Sequence, residues 1–362
     1  MPRFTFSLAD IIGLIIIYQS LFFSINLHFQ KEKTRAFNQI LSILSGLFAL
    51  NFSNILLINQ GVWGNELNFG LVYGFLYGPV FYLYALYLME QEEQLNKRHY
   101  VHVLPSCIVL VYILATGNPI RTEWRLMGLT LFVLVHIFLY LGKSYLAILS
   151  FQKRLKDNFS EIESRKLSWL KSLIISITFI LFFSSLEAFF PNSYEPFYVE
   201  LYFVLISLFA LMMINFMFYK GLRYPEILGH QLLESPKRKY QGSNLSKEGA
   251  EHTLKKLDHF MIREKPYLNE ELSIRELAAL LEVPAKHLSQ VINENKSMNF
   301  FDFINEFRIE EACTLLRNKT SSEMRINEIM YQVGFRSKST FNQVFKLKVG
   351  MTPKAYRLRH IK

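Results

Sequence analysis

Seven long apolar runs fill most of the first 219 residues of the chain, and short polar connections separate them. The runs span residues 8–28, 36–58, 68–89, 100–117, 126–149, 168–190 and 197–219. Their lengths lie close to the roughly 20 residues of α-helix that cross the apolar core of a bilayer. The alternative is a soluble protein with buried helices, but several runs would then be too long and apolar on every face. The pattern predicts a seven-helix transmembrane bundle over residues 1–219.

Lys and Arg are unevenly distributed among the polar connections. The connections 29–35, 90–99 and 150–167 together hold ten of them, whereas the amino terminus and the other connections hold three. Because cytoplasmic loops of membrane proteins carry an excess of Lys and Arg, these three connections are predicted to face the cytoplasm. The amino terminus is therefore expected outside and the carboxyl-terminal part inside. No small-residue cleavage site follows the first run, so we expect an uncleaved span.

Three ionisable side chains within the runs are candidates for a ligand pocket, since such groups are costly in lipid. His136 falls near the middle of the fifth run, and Glu187 and Glu200 fall near the outer ends of the sixth and seventh. One interpretation is that they line a pocket in the outer half of the bundle. The other is that both carboxylates reach interfacial water and that His136 bonds a neighbouring helix. The sequence leaves both open.

The composition changes after the seventh run. Residues 220–248 contain prolines, glycines and the run Lys237-Arg238-Lys239, and hydrophobic periodicity disappears. This is typical of a linker, and its cations are expected to contact anionic lipid headgroups. Residues 249–362 then form a separate domain on the cytoplasmic side.

Helical periodicity in residues 249–362 predicts two helix-turn-helix modules. Ser273 and Glu276 have the spacing of a capping box at the start of a short helix, and Val283-Pro284 separates it from a helix over 285–295. The pattern returns about 52 residues later, where Ile326, Glu328, Ile329 and Val333 parallel Ile274, Glu276, Leu277 and Leu281. The modules are predicted at about 272–295 and 325–349, with an amphipathic helix over 300–317 between them. A helix-turn-helix lays its second helix in the major groove of DNA.

The end of the chain is strongly basic. Residues 334–362 hold eight Lys or Arg and no Asp or Glu, which favours attraction to phosphate. Apolar residues of 341–347 recur at helical spacing and leave polar residues on the opposite face. Gly350 is expected to end this helix, and Thr352-Pro353 to begin another. The arrangement predicts a surface that contacts nucleic acid.

This region resembles the carboxyl-terminal double helix-turn-helix of the AraC family of bacterial transcription regulators. The family's signature of Gly-Phe, Ser, Ser, Phe, Phe-Lys, Gly, Thr-Pro and Tyr-Arg is matched in order and spacing by Gly334, Phe335, Ser337, Ser339, Phe341, Phe345, Lys346, Gly350, Thr352, Pro353, Tyr356 and Arg357. The resemblance covers about residues 250–360. Departures are Ser297 for a usual Gly, Met330 for Ala and Gln343 for a frequent Arg. The resemblance implies that both recognition helices meet one face of the duplex, about one turn apart.

Two groups of side chains are candidates for contact with DNA. Amide, hydroxyl, imidazole and lysine groups on the two recognition helices are suited to base edges, namely Lys286, His287, Ser289, Gln290, Lys338, Thr340, Asn342 and Gln343. Four cations are suited to phosphate, namely Arg308, Lys346, Lys354 and Arg357. No phosphate loop, nucleophile elbow or HExxH site is found in the sequence. We therefore expect no enzyme activity, no cofactor and no metal.

These observations predict an all-α protein and a one-component transcription regulator embedded in the bacterial cytoplasmic membrane, whose bundle senses a signal. The alternatives are a regulator whose bundle is only an anchor, and a membrane enzyme or transporter with an appended regulatory domain. The net charge of residues 250–362 is only +5, so we expect two copies to pair on DNA. The expected partners are double-stranded DNA, the lipid bilayer, RNA polymerase, and a small-molecule, lipid or protein signal.

Overall fold

The computed structural model describes residues 6–29, 35–63, 69–90, 97–116, 123–163, 165, 167–185, 196–228, 245–318 and 324–360. These residues form α-helices, two short 3-10 helices and one isolated antiparallel bridge. The prediction of an all-α protein is confirmed for this part of the chain. The chain divides into two compact units, one of residues 1–149 and 168–230 and the other of residues 150–167 and 231–362.

The first unit is built from helices that coincide with the apolar runs. They are α1 (Leu8–His28), α2 (Arg35–Asn59), α3 (Gly70–Glu90), α4 (Leu104–Thr116), α5 (Glu123–Asn158), α6 (Ser168–Ser185) and α7 (Pro196–Leu228). The last nine residues of α5 belong to the second unit. Helix α7 runs through the first nine residues of the predicted linker, and residues 229–244 lie outside the described residues.

Five helical segments of the described chain are long and apolar enough to cross a membrane, which is fewer than the seven predicted spans. They are Leu8–His28, Asn38–Asn59, Gly70–Met89, Gly128–Asn158 and Phe197–Lys220. The fourth and sixth runs form shorter apolar helices, Val101–Ala115 and Ser168–Phe183. In the fourth run, a 3-10 helix over Lys97–Val103 leaves only 13 residues for α4, which is about 20 Å of helix. The seven-span bundle therefore remains a prediction.

Small and polar residues join the first two helices of the first unit. Ser24 Oγ donates to the Ser42 carbonyl at 2.9 Å, and Ser42 Oγ donates to the Ser24 carbonyl at 2.7 Å. The buried Asp10 carboxylate accepts hydrogen bonds from the side-chain amides of Asn59 at 3.2 Å and Gln60 at 3.0 Å. Small residues let helix backbones approach closely where water is absent.

The second unit contains the remaining helices. They are α8 (Lys247–Glu264), α9 (Ile274–Leu280), α10 (Ala285–Asn295), α11 (Phe300–Arg317), α12 (Ile326–Gln332), α13 (Lys338–Val349) and α14 (Pro353–His360). A 3-10 helix over Pro266–Leu268 follows α8. The helices predicted over 285–295 and 300–317 are confirmed at these bounds.

Helix α11 contributes to both apolar cores of the second unit. Phe300, Phe303 and Ile304 pack with residues of α8, α9 and α10 in the first core. One turn further along, Ile309, Ala312, Cys313 and Leu316 pack with residues of α12, α13 and α14 in the second. The two helix-turn-helix modules, α9–α10 and α12–α13, are therefore held by one shared helix.

Candidate nucleic-acid interface

The first module begins with the predicted capping box. Ser273 Oγ accepts from the Glu276 amide at 3.3 Å, and Glu276 Oε2 accepts from the Ser273 amide at 2.7 Å. Both bonds satisfy amides that would otherwise be unpaired at the start of α9. At the turn, Glu282 has a φ of 53°. The turn directs α10 away from α9 with Leu288, Val291 and Ile292 buried.

The second module turns at Gly334, where only glycine fits. Its φ is 87°, and an added Cβ would lie 2.8 Å from the Tyr267 carbonyl oxygen and 2.9 Å from that of Leu268. Ser337 Oγ then accepts from the Thr340 amide at 3.3 Å and caps α13. The close approach at Gly334 also brings this turn against the backbone that precedes the first module.

The predicted end of α13 and start of α14 are confirmed. Gly350 ends α13 with a φ of 81°, and its amide donates to the Lys346 carbonyl at 2.9 Å. Thr352 Oγ1 accepts from the Ala355 amide at 3.2 Å, and Pro353 is the first residue of α14. Pro at this position loses no hydrogen bond because the first helical amide has no intrahelical partner.

On α10, the four base-reading candidates Lys286, His287, Ser289 and Gln290 are partly exposed, on a helix whose apolar residues are buried. Gln290 Nε2 donates to both carboxylate oxygens of Glu294, at 3.1 and 3.2 Å. A contact of Gln290 with a base edge would therefore require it to give up its bonds to Glu294. Glu294 was not among the residues predicted from the sequence, although its position one turn after Gln290 on the same helix is a signal of this contact.

On α13, the candidates differ in exposure while Phe341 and Phe345 are buried. Lys338 and Gln343 are exposed, and Thr340 and Asn342 are half-buried. Thr340 Oγ1 donates to Glu163 Oε2 at 3.4 Å. This contact with residues 150–167, which belong to the same unit, has no counterpart in the sequence analysis.

Of the four phosphate candidates, the structure exposes Lys346 and Lys354 and buries Arg308. The Arg308 side chain is one of the largest fully buried groups, with 1% exposure. Nε donates to the Tyr267 carbonyl at 2.7 Å, and Nη2 donates to that of Asn269 at 2.8 Å. The sequence-based assignment of Arg308 to phosphate is corrected here, because its donors are used within the protein.

Burial lowers the pKa of Arg308 to about 10, and the carboxylates of Glu161 and Glu270 act in the opposite direction. The guanidinium therefore stays charged at neutral pH. Its Cζ lies 5.5 Å from the ring centre of Phe335, at the start of the second module. Arg308 thus joins α11, the segment before the first module and the turn of the second.

Arg357 is also turned toward the protein. Nη1 donates to the Met324 carbonyl at 2.7 Å. Nε and Nη2 are buried and have no hydrogen-bond partner among the described residues. The side chain therefore fastens α14 to the segment that leads into α12, and a contact with phosphate would require it to leave this position.

Other charged groups of the interface form pairs at the junction of the modules. Arg336, in the turn of the second module, contacts Glu271 and has its Nε 3.5 Å from Glu270. Tyr267 donates to Glu311 at 3.2 Å, and burial together with this carboxylate raises the pKa of Tyr267 to about 12. The Arg336 pairs link the second module to the segment before the first, and the Tyr267 bond holds that segment to α11.

Residues 277–359 match a family model described as a helix-turn-helix domain. This part of the chain is similar to helix-turn-helix domains of the AraC type, and residues 249–362 are called the AraC-type domain. The AraC-type domain includes both recognition helices and every candidate for contact with DNA named above. The resemblance drawn from the sequence is confirmed for this domain.

Two relatives each match about a quarter of this chain. An uncharacterized HTH-type transcriptional regulator of Staphylococcus aureus strain COL is 35% identical over 91 residues, which are 25% of this chain and 12% of that protein. The uncharacterized HTH-type transcriptional regulator YfiF of Bacillus subtilis strain 168 is 28% identical over 93 residues, which are 26% of this chain and 28% of that one. The chain thus spans about a quarter or less of these relatives. No solved structure matches it significantly.

Outside the AraC-type domain, the pocket candidates of the first unit have local contacts. The His136 ring lies 5.1 Å from that of Phe75 and 4.9 Å from that of Tyr140. Glu200 accepts from the Leu8 amide at 3.1 Å and so caps α1. Glu187 lies outside the described residues. Among the described residues, no group of three or more His, Cys, Asp or Glu is placed to hold a metal ion.

Proposed function

We propose that this protein is a membrane-embedded transcription regulator that binds double-stranded DNA through α10 and α13. The observation that carries the proposal is the pair of helix-turn-helix modules that pack on α11. Because both modules share this helix, the two recognition helices are held in a fixed relative position. The HTH-type regulators that resemble the domain support the same function. Base reading is assigned to polar residues of α10 and α13, namely Lys286, His287, Ser289, Gln290, Lys338, Thr340, Asn342 and Gln343.

Phosphate contacts are assigned to the exposed cations of the second module, Lys346 and Lys354. Both lie near the carboxyl-terminal end of α13 or in the first turn of α14. Each phosphate neutralised by Lys or Arg releases counterions and strengthens binding to any sequence. Arg308 is instead assigned to holding the modules together and Arg357 to fastening α14 to the segment before α12, because their donors point into the protein.

The first unit is proposed to lie in the cytoplasmic membrane with seven spans and to sense a signal. Five apolar helices and the uneven distribution of Lys and Arg support this. Residues 150–167 add an argument, since they pack in one unit with the AraC-type domain and must lie on the same side of the membrane. The chain between them must then cross an even number of times. Because α7 is a candidate span, α6 is assigned as a second one.

The test is a selection of genomic DNA fragments by the full-length chain in lipid nanodiscs. Bound fragments are expected to share two short elements about 10 base pairs apart, since two recognition helices on one face of DNA lie about one turn apart. Gln290→Ala and Gln343→Ala should each change one element. Lys354→Ala should weaken all fragments alike.

Lys255→Ala is the matched control, because Lys255 is an exposed cation on α8 and belongs to neither group. The affinity of this variant for DNA and its sequence preference should equal those of the unchanged chain. A selection that returns no common element, or equal losses from Gln343→Ala and Lys354→Ala on every fragment, would contradict the proposed function.

A further inference from the structure

The segment between α5 and α6 is bonded to the AraC-type domain. Phe159 forms an antiparallel bridge with Ser273, the cap of α9. The Ser160 amide and Ser160 Oγ both donate to the Leu272 carbonyl, at 3.1 and 2.7 Å. Apolar residues along the segment are buried, namely Phe151, Leu155, Phe159, Ile162 and Leu167. The segment is therefore an integral part of the unit.

Ser160 also completes the surroundings of the buried Arg308. Its carbonyl accepts from Arg308 Nη1 at 3.2 Å, and its Oγ accepts from Nη2 at 3.0 Å. A buried cation that loses acceptors carries a large desolvation cost. Since Arg308 joins the two modules, the segment is attached where they meet.

The same segment brings a carboxylate to the amino-terminal end of α13. Glu163 Oε2 accepts from Thr340 Oγ1, and Thr340 lies in the first turn of that helix. The neighbouring cation Arg165 is paired with Glu161 at 3.6 Å and lies over the Phe159 ring. The end of α13 that is assigned to base reading thus has a negative group beside it.

We propose that residues 159–163 form an intramolecular clamp that covers the amino-terminal end of α13 and competes with DNA for it. The inference rests on the proposed DNA-binding function and gives that site its regulation. A carboxylate at Thr340 repels the phosphates of an approaching duplex and occupies the hydroxyl that would meet a base.

The clamp also provides a route for a signal. Residues 159–163 follow α5 directly in the chain and precede α6, so a rearrangement of either helix displaces them. Displacement removes Ser160 from Arg308 and Glu163 from Thr340 together. Two arrangements of one packed element, biased by a distant event, are a common basis of switching in proteins.

The test compares DNA affinities of full-length chains in nanodiscs on one fragment from the selection. Glu163→Gln removes the negative charge at Thr340 and should raise affinity about two- to fivefold, the range typical of a single exposed charge pair. Glu251→Gln is the matched control, since it removes an equal charge from an exposed position on α8. Glu251→Gln should raise the affinity for DNA less than Glu163→Gln does. Because both variants change the net charge equally, the difference measures the contribution of the clamp.

Hydrogen exchange supplies a second measurement on the same samples. The Ser160 amide should be protected without DNA, because it is bonded to Leu272, and should exchange faster when DNA is bound. Equal effects of Glu163→Gln and Glu251→Gln, with Ser160 protection unaffected by DNA, would overturn the clamp. Absence of sequence-selective binding in every variant, with Ser160 still protected, would instead overturn the proposed function.

Discussion

A buried guanidinium needs an acceptor for its N–H groups, and Arg308 finds backbone carbonyls and Ser160 around it. Its charge is therefore used to hold separate segments of backbone together. In the sequence, Arg308 lies on an amphipathic helix of a basic domain, where an exposed cation is the ordinary expectation. Burial depends on which segments pack over the helix, and residues 150–167 are about 150 positions away. Local sequence could not reveal this.

Replacing Arg308 should therefore affect stability and leave the salt dependence of DNA binding unchanged. Arg308→Lys keeps one charge but loses most of the hydrogen bonds, so we expect a loss of about 3 kcal/mol or more in unfolding free energy. Lys346→Ala should leave stability nearly unchanged and reduce the slope of log affinity against log salt by about 0.9. Thermal unfolding and salt titrations measure the two quantities. A reduced salt slope for Arg308→Lys would contradict this and would indicate that Arg308 contacts DNA phosphates.

Ser297 offers a gain in stability. It stands where the AraC family usually has Gly, and its φ is 52°, in the left-handed region. That conformation costs a non-glycine residue about 1–2 kcal/mol. Replacement by glycine removes this cost, but part of the gain is lost because glycine has more conformational entropy in the unfolded chain. Ser297→Gly should stabilise the unit by about 0.5–1 kcal/mol, measured by hydrogen exchange of α10 and α11. Lys255→Gly, in the middle of α8, should lower the stability instead. A loss of stability in both variants would contradict the inference that Ser297 is strained.

At the scale of elements, the features that the sequence predicted correctly are local. The Ser273 capping box, the Gly350 stop and the Thr352-Pro353 start each depend on residues within one turn of one another. The two modules repeat such signals, so their helices could be placed from the pattern alone. The fourth apolar run shows the limit. Its composition does not distinguish the 3-10 helix of Lys97–Val103 from a longer α4.

Gly334 and Gly350 provide a matched test of how the modules are joined. Both have positive φ, but only Gly334 would place a Cβ against backbone oxygens, those of Tyr267 and Leu268. Gly350→Ala should cost the strain of the left-handed conformation, about 1–2 kcal/mol. Gly334→Ala should cost more, because the clash must also separate the second module from Tyr267 and Arg308. Unfolding free energies of the two variants decide this, and equal costs would show that the approach at Gly334 is unimportant.

At the scale of the whole molecule, the number of spans determines where residues 150–167 lie. With seven spans, connection 117–122 is outside and connection 150–167 is inside. If α4 and α6 did not cross, the second connection would be outside, away from a cytoplasmic DNA-binding domain. The grouping of residues 150–167 with that domain therefore favours crossing by α6, and together with an amino terminus outside it also favours crossing by α4.

Labelling of intact cells checks this arrangement. In a Cys107→Ser background, Asn118→Cys should react with a membrane-impermeant maleimide added outside. Ser164→Cys should react only after the cells are opened, because its segment is proposed to lie on the inside together with the DNA-binding domain. Reaction of Ser164→Cys in intact cells would contradict both the seven-span topology and the clamp.

The sharing of α11 between two cores fixes the geometry with which the molecule is proposed to meet an operator. Each residue of an α-helix advances the axis by 1.5 Å and turns it by about 100°. A single residue inserted between Ile304 and Ile309 would therefore rotate one recognition helix away from the major groove of DNA, although the sequence of each module would be unchanged. No change of bases can compensate for such an insertion. The spacing between the two short DNA elements should therefore tolerate far less variation than the bases within each element.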